Sequence, residues 1–209
     1  MNYLNFKNTY QNTPVINISS LEGASIDTCS LRENINKWNK KGYIYRLKNN
    51  LYTLNDNDRK TGVSRSFIAN YIYTPSYVSL EYAMYTYGLI PENVYEMTSV
   101  STLKTAKFKN HFGVFSYSNI KPDLFFGYAA HKDENKMSVV MATPEKAMLD
   151  YIYLRFCRRK AQGDIESFVD KNRIQNLKTL DRKKYNEYVL KYPKRYRVVL
   201  GLAFRKGSK

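Results

Sequence analysis

The sequence lacks the features of secreted, disulfide-linked and membrane-spanning proteins. It has two cysteines, Cys29 and Cys157, which lie far apart and indicate no disulfide framework. No apolar run is longer than that at residues 198–204, which contains a glycine, whereas a membrane-spanning helix needs about 20 apolar residues. A secretory signal has a short basic region followed by an apolar stretch, and the N-terminus does not show this layout. We therefore expect a cytoplasmic protein that does not span a membrane.

Residues with catalytic or metal-binding chemistry are also scarce. The soft metal ligands form no close pair in sequence: Cys29, His111, His131 and Cys157. We find no Gly-rich phosphate loop and no nucleophile motif. The Glu-Lys pair at 145–146 could belong to a nuclease site, but its acidic member is better explained as a residue of a first helical turn. The sequence therefore predicts no enzyme activity, no metal and no cofactor.

Acidic residues are too few to balance the basic ones. The 18 Asp and Glu residues oppose 34 Lys and Arg residues, which gives a formal charge of +16. AT-rich codons enrich Lys but also Glu, so codon bias does not explain the imbalance. A charge of this size favours an anionic partner such as nucleic acid.

The charge is unevenly distributed along the chain. Residues 1–60 hold nine basic and five acidic side chains, residues 61–154 hold eight of each, and residues 155–209 hold seventeen and five. We expect the neutral middle to form the body of the fold and the two ends to meet anionic partners.

Residues 1–60 show the order of elements of a winged helix-turn-helix. We expect a first helix before Tyr10, a short second helix at 19–24, a third at about 31–41 and a hairpin of strands 43–47 and 51–54. Ile16 and Ile18 would pair with the hairpin or enter the core. The turn between the hairpin strands, at 48–50, is rich in Lys and Asn.

The third helix is the best-defined element of this segment. Leu31, Ile35 and Trp38 are spaced along one helical face, which predicts that Trp38 lies in the core. The Ser-x-x-Glu sequence at 30–33 predicts a capping box, with Asp27 as an earlier alternative cap. Gly42 is expected to end the helix.

The polar side of this helix predicts DNA contact. A helix fits the major groove, where Arg, Asn and Lys reach base edges, while a basic hairpin contacts flanking phosphates. The candidate DNA contacts are Arg32, Asn36, Lys37 and Lys40 on the helix, with Arg46 and Lys48 on the hairpin. A winged helix that binds protein instead remains open.

Residues 61–160 predict a mixed α/β body with a small antiparallel sheet. Strand patterns occur at 95–101, 113–117, 125–129 and 137–141, and helical patterns at 66–73, 80–87 and 144–160. Ser79 and Thr143 are candidate N-caps, Pro144 a first helical residue and Gly88 a helix stop. Their roles in starting and ending helices account for these residues, so we do not regard them as candidate catalytic groups.

Residues 161–209 predict a basic helical segment. Helices are expected at 164–170 and 181–192, and the apolar run at 198–204 should dock on the body. The candidate basic surface comprises Arg158, Arg159, Lys160, Arg182, Lys183, Lys184, Lys194, Arg195 and Arg197. It could be a second DNA contact, a protein-facing surface or a solvated face. Tyrosines interleaved with these cations also leave base stacking on RNA open.

Three blocks resemble the AbiEi-type antitoxins of type IV toxin–antitoxin systems. They are PSYVSLEYAM at 75–84 with its continuation to 90, TPEKAMLD at 143–150, and the hairpin block at 41–52. They occur in the order and spacing of that family and cover about residues 30–160. Tyr82 stands where the family usually has Ser, which predicts local repacking there or a different partner surface. Met84 and Met148 replace Leu at similar volume.

The resemblance implies what such a protein does. It implies a winged helix at 1–60 that represses its own operon, and an antitoxin domain at 61–209 that counteracts a nucleotidyltransferase toxin. The implied partners are operator DNA with an inverted repeat, bound by two or more copies or a homodimer, and the cognate toxin. A nucleic-acid- or protein-binding module without repressor activity, for instance one that binds RNA, is the alternative.

Overall fold

The computed structural model describes residues 1–21, 28–158 and 163–206, which form an α+β fold. The helices are α1 (Tyr3–Tyr10), α2 (Thr28–Lys40), α3 (Arg65–Ile72), α4 (Leu80–Thr86), α5 (Pro144–Ile152), α6 (Ile165–Lys171), α7 (Arg182–Val189) and α8 (Lys194–Lys206). The strands are β1 (Ile16–Asn17), β2 (Ile44–Lys48), β3 (Leu51–Leu54), β4 (Ser76–Val78), β5 (Met97–Ser101), β6 (Ala106–Asn110), β7 (Gly113–Asn119), β8 (Tyr128–Lys132) and β9 (Ser138–Ala142).

The N-terminal elements surround their own hydrophobic cluster. Strands β1, β3 and β2 form an antiparallel sheet in that order, and α1 and α2 pack beside it. The predicted first helix and hairpin are confirmed, and Ile16 pairs with Tyr52. Trp38 is 7% exposed, which confirms its place in the core. The predicted second helix is a 3₁₀ turn at Ile18–Leu21, and the rest of its range lies outside the described residues.

The predicted capping box of α2 is wrong. The helix already includes Thr28, so Ser30 lies inside its first turn and cannot be the N-cap. Asp27, the alternative cap, lies outside the described residues. The helix stop is confirmed, because Gly42 follows the helix with a φ of 72°, a conformation that side chains disfavour.

The body contains a larger sheet than the sequence predicted. It has six strands in the order β6-β7-β5-β4-β9-β8, and the β5–β7 and β4–β9 pairs are parallel. The expectation of a small antiparallel sheet is therefore wrong. Strand β4, with three residues, is too short to give a strong strand pattern, whereas β6 was missed although its alternating polar and apolar residues are typical of a strand.

Two predicted elements of the body have different limits in the structure. The strand predicted at 125–129 starts at Tyr128, because Pro122–Leu124 forms a 3₁₀ turn and Gly127 has a φ of 73°. The helix predicted at 144–160 is α-helical to Ile152 and continues as a π-helical turn, Tyr153–Cys157. Residues 159 and 160 lie outside the described part of the chain.

The C-terminal helices complete the core of the body. Helix α7 packs on α5, and α8 packs on α6 and α7. The apolar run at 198–204 lies within α8, where Leu200, Ala203 and Phe204 are buried, as expected for docking. Val198 faces outward and is 71% exposed. The basic segment is therefore helical, as predicted.

The motif residues at the helix ends lie where the sequence placed them, but the predicted capping hydrogen bonds are not formed. Pro144 at the first position of α5 and Gly88 after α4, with a φ of 67°, are confirmed. Ser79 and Thr143 occupy N-cap positions, but neither side chain caps its helix. The Ser79 hydroxyl instead donates to Asp150 Oδ2 at 3.0 Å, because a buried carboxylate is a strong acceptor.

Candidate nucleic-acid interface

Helix α2 is held by one apolar face against the N-terminal sheet. Leu31, Ile35 and Trp38 are each no more than 7% exposed. The Trp38 ring lies 4.9 Å from the ring centroid of Phe6 on α1 and 5.4 Å from that of Tyr3. Because these contacts fix the rotation of the helix, its other side must face solvent.

The outward side of α2 carries the four predicted DNA contacts. All four are exposed: Arg32, Asn36, Lys37 and Lys40. The Lys37 ammonium lies 3.9 Å from Glu33 Oε2, and both side chains are about two-thirds exposed or more. Such a surface ion pair contributes at most about 1 kcal/mol, so Lys37 can exchange Glu33 for a phosphate at low cost.

The hairpin is tied to the end of α2. Asn39 Oδ1 accepts a hydrogen bond from the Arg46 backbone N–H at 3.2 Å, and Arg46 Nη2 donates to Asn49 Oδ1 at 2.5 Å. At the tip, Asn50 adopts a φ of 62° and donates to Ser19 Oγ at 2.8 Å. The exposed Arg46 is therefore positioned beside the outward side of α2. Asn39 was missed in the sequence, where nothing distinguishes it from neighbouring asparagines.

Lys48 has partners within the chain. Its Nζ donates to the Ile72 carbonyl at 3.1 Å and lies 5.3 Å and 5.2 Å from the ring centroids of Tyr73 and Phe108. This places the ammonium between the hairpin and the body. Contact between Lys48 and DNA stays a prediction, and it would require the side chain to leave these partners.

The predicted C-terminal basic surface is divided between several elements. Arg158 Nη1 donates to the Asn119 carbonyl at 2.6 Å, at the end of β7. On α7, Lys184 Nζ lies 3.1 Å from Glu145 Oε2, while Arg182 and Lys183 are exposed.

The remaining members of that surface belong mainly to α8. Lys194 is exposed, Arg195 lies 4.6 Å from the ring centroid of Tyr196, and Arg197 Nε donates to the Tyr192 carbonyl at 2.8 Å. Arg159 and Lys160 lie outside the described residues. Helices α7 and α8 pack together, and the turn that precedes Arg158 also contacts α8, where Tyr153 feels the charges of both Arg158 and Arg195.

The body holds a buried polar cluster that the sequence did not reveal. Lys146 and Asp150, one helical turn apart on α5, form a fully buried ion pair. Asp150 Oδ2 also accepts from Tyr77 Oη at 2.8 Å and from Ser79, and its Oδ1 accepts from Tyr192 Oη at 3.2 Å. The i, i+4 spacing of Lys and Asp was visible, but it usually marks an exposed pair.

Burial governs the protonation of this cluster. It lowers the pKa of Lys146, although the adjacent Asp150 carboxylate opposes that change. Burial, together with the same carboxylate, raises the pKa of Tyr77 and Tyr192 well above the usual value for tyrosine. Every member of the cluster is buried, and its hydrogen bonds join α5 to β4 and to the segment between α7 and α8.

No protein-family model matches the chain, and no curated protein matches it. No helix among the described residues is both long enough and apolar enough to cross a bilayer. In the same part of the chain, no three His, Cys, Asp or Glu side chains come close enough together to hold a metal ion.

Proposed function

We propose that this protein is a DNA-binding antitoxin of the AbiEi type. In this proposal its N-terminal part is a winged helix that represses its own operon, and residues 61–209 counteract a nucleotidyltransferase toxin. One observation carries the DNA-binding half: α2 presents its basic and amide side chains to solvent beside an antiparallel three-stranded sheet. The element order α1, β1, 3₁₀ turn, α2, β2, β3 also fits a winged helix.

The chemistry of α2 suits the edges of bases in a DNA major groove. Arginine and lysine donate to guanine, and asparagine both donates to and accepts from adenine. Arg46, fixed beside the end of α2 by Asn39, can meet the flanking phosphates. Two copies bound to an inverted repeat would place two such helices about one helical turn apart.

The antitoxin half rests on the resemblance of the three sequence blocks. The structure supports it in one respect, because two of the blocks meet. Tyr77 and Ser79 from the 75–84 block donate to Asp150 from the 143–150 block. Residues that carry the resemblance therefore act together in the core of one fold.

The first prediction concerns DNA upstream of the protein's own gene. We expect the protein to bind an inverted repeat there, with an affinity that falls steeply as salt is raised. If about six phosphates are contacted, log K should fall against log salt with a slope near −5. Fluorescence anisotropy with a labelled upstream duplex, measured from low to moderate salt, gives this slope.

A scrambled duplex of the same length is the control for specificity. It should bind more weakly, because only phosphate contacts remain. Binding that does not depend on salt, or no preference for upstream DNA, would refute the repressor proposal. Tight binding to RNA without a footprint on upstream DNA would favour the RNA-binding alternative.

The second prediction concerns the antitoxin activity. Co-expression of the protein should restore growth to cells that express the nucleotidyltransferase encoded beside it. With both genes under unrelated promoters, the variant with Arg32→Glu, Lys37→Glu and Lys40→Glu should restore growth equally, because repression is then irrelevant. Continued growth arrest with the wild-type protein present would exclude the antitoxin activity and leave the repressor proposal standing.

A further inference from the structure

A basic groove lies where the hairpin meets the edge of the large sheet. Its lining comes from β2 and the adjacent turn on one side and from β6 on the other: Arg46, Leu47, Lys48, Asn49, Lys107, Phe108 and Lys109. Four of these seven residues are basic and none is acidic. The groove therefore joins the candidate DNA-contacting hairpin to the body.

The two walls of the groove are held together by direct contacts. Asn110 Nδ2 donates to the Leu47 carbonyl at 3.1 Å, and the Tyr45 ring stacks on His111 with centroids 3.7 Å apart. Lys48 spans the same junction through its contacts with Tyr73 and Phe108. The position of β6 relative to the hairpin is thus fixed, and a ligand can engage both walls.

The β6 wall presents two exposed lysines. Lys107 and Lys109 alternate with Phe108, so both point to the same side of the strand, about 6.6 Å apart along it. Lys107 contacts Glu96 at 3.1 Å but is 63% exposed, and such a surface pair is weak. The zero net charge of residues 61–154 concealed this local concentration of positive charge.

We propose that this groove binds the phosphodiester backbone of duplex DNA next to the site contacted by α2. A backbone strand carries one negative charge per 3.4 Å of duplex length, which suits cations repeated along a strand. The groove is continuous with the candidate DNA contacts on α2, because Arg46 both lines the groove and donates its backbone N–H to Asn39 at the end of α2. One DNA backbone can therefore reach both sites. The inference rests on the proposed DNA-binding function and extends the interface onto the body.

The test compares K107A/K109A with the wild-type protein on two duplexes, the upstream DNA and an unrelated sequence. We expect about tenfold weaker binding to both and a salt slope shallower by about two, because phosphate contacts do not depend on sequence. The charge-preserving variant K107R/K109R should bind as the wild type does. Thermal unfolding should show that all variants keep the fold.

The matched control is K121A/K132A, which removes two exposed lysines outside the groove. It should change affinity by less than about twofold. An equal loss in this control, no loss in K107A/K109A, or a loss confined to single-stranded RNA would overturn the groove proposal. If α2 variants lose DNA binding while K107A/K109A keeps it, only the groove proposal fails. If the wild-type protein binds no DNA, both proposals fail.

Discussion

Asp150→Asn is expected to lower the free energy of unfolding by about 3–5 kcal/mol, a large part of the roughly 5–15 kcal/mol of a typical domain. The substitution leaves the fully buried Lys146 ammonium without its counter-charge. It also replaces the acceptor shared by Tyr77, Ser79 and Tyr192 with an amide that must donate at one end. Both effects act in a buried site, where hydration by water cannot replace the lost charge pair and hydrogen bonds.

Urea unfolding at pH 7 measures this loss as a lower midpoint at an unchanged m-value. The control is Glu92→Gln, which removes the partner of Arg173 from an ion pair whose side chains are 48% and 66% exposed. It should cost less than about 1 kcal/mol. A similarly small cost for Asp150→Asn would contradict the assignment of a buried pair.

Two further measurements separate the charge from the lost hydrogen bonds. Lys146→Met combined with Asp150→Asn should be more stable than Asp150→Asn alone, because no unpaired charge is left buried. The single variant should also recover stability as the pH rises from 7 to about 9, below the pH at which tyrosines of the unfolded chain ionise. Burial lowers the pKa of Lys146, so the unfolded chain binds more protons in this window and raising the pH favours the folded state.

The sequence predicted several elements whose position is set by a local pattern. The apolar spacing of Leu31, Ile35 and Trp38 sets the orientation of α2, and Gly42 ends it. Pro144 marks the start of α5, and Gly88 follows the end of α4. In each case the pattern that gave the prediction spans only a few residues, so periodicity and turn chemistry were sufficient.

The order of the large sheet could not be predicted in this way. Its parallel pairs join strands that are distant in sequence: Val78 pairs with Met141, and β5 pairs with β7 across the intervening β6. Ser79 and Thr143 occupy the predicted N-cap positions, but neither side chain makes a capping hydrogen bond. Ser79 bonds to Asp150, which is 71 residues away, and no local pattern reports such a partner.

In the candidate interface, too, the sequence predicted the positions that depend on a local pattern and missed the contacts that depend on tertiary packing. Helical periodicity correctly placed Arg32, Asn36, Lys37 and Lys40 on the outer side of α2. The partners of Lys48 and the nearness of β6 to the hairpin depend on how the N-terminal elements dock on the body. Whether these exposed residues contact DNA remains a prediction.

Reversing charge on α2 should have the largest effect on function. Arg32→Glu, Lys37→Glu and Lys40→Glu together are expected to weaken binding to upstream DNA by more than about 100-fold. Each lost contact is worth about 1 kcal/mol or more, and glutamate adds repulsion from phosphate. Because the three side chains are exposed, the fold should survive, with a thermal midpoint within a few degrees of the wild type.

A second triple reversal separates local contact from overall charge. Lys121→Glu, Lys132→Glu and Lys178→Glu change the net charge equally at exposed positions outside α2 and the hairpin. If α2 contacts DNA directly, this control should lose little affinity and keep its preference for upstream over scrambled DNA. Equal losses in the two triple variants would mean that net charge alone drives binding, and unchanged binding by the α2 variant would show that another surface contacts the DNA.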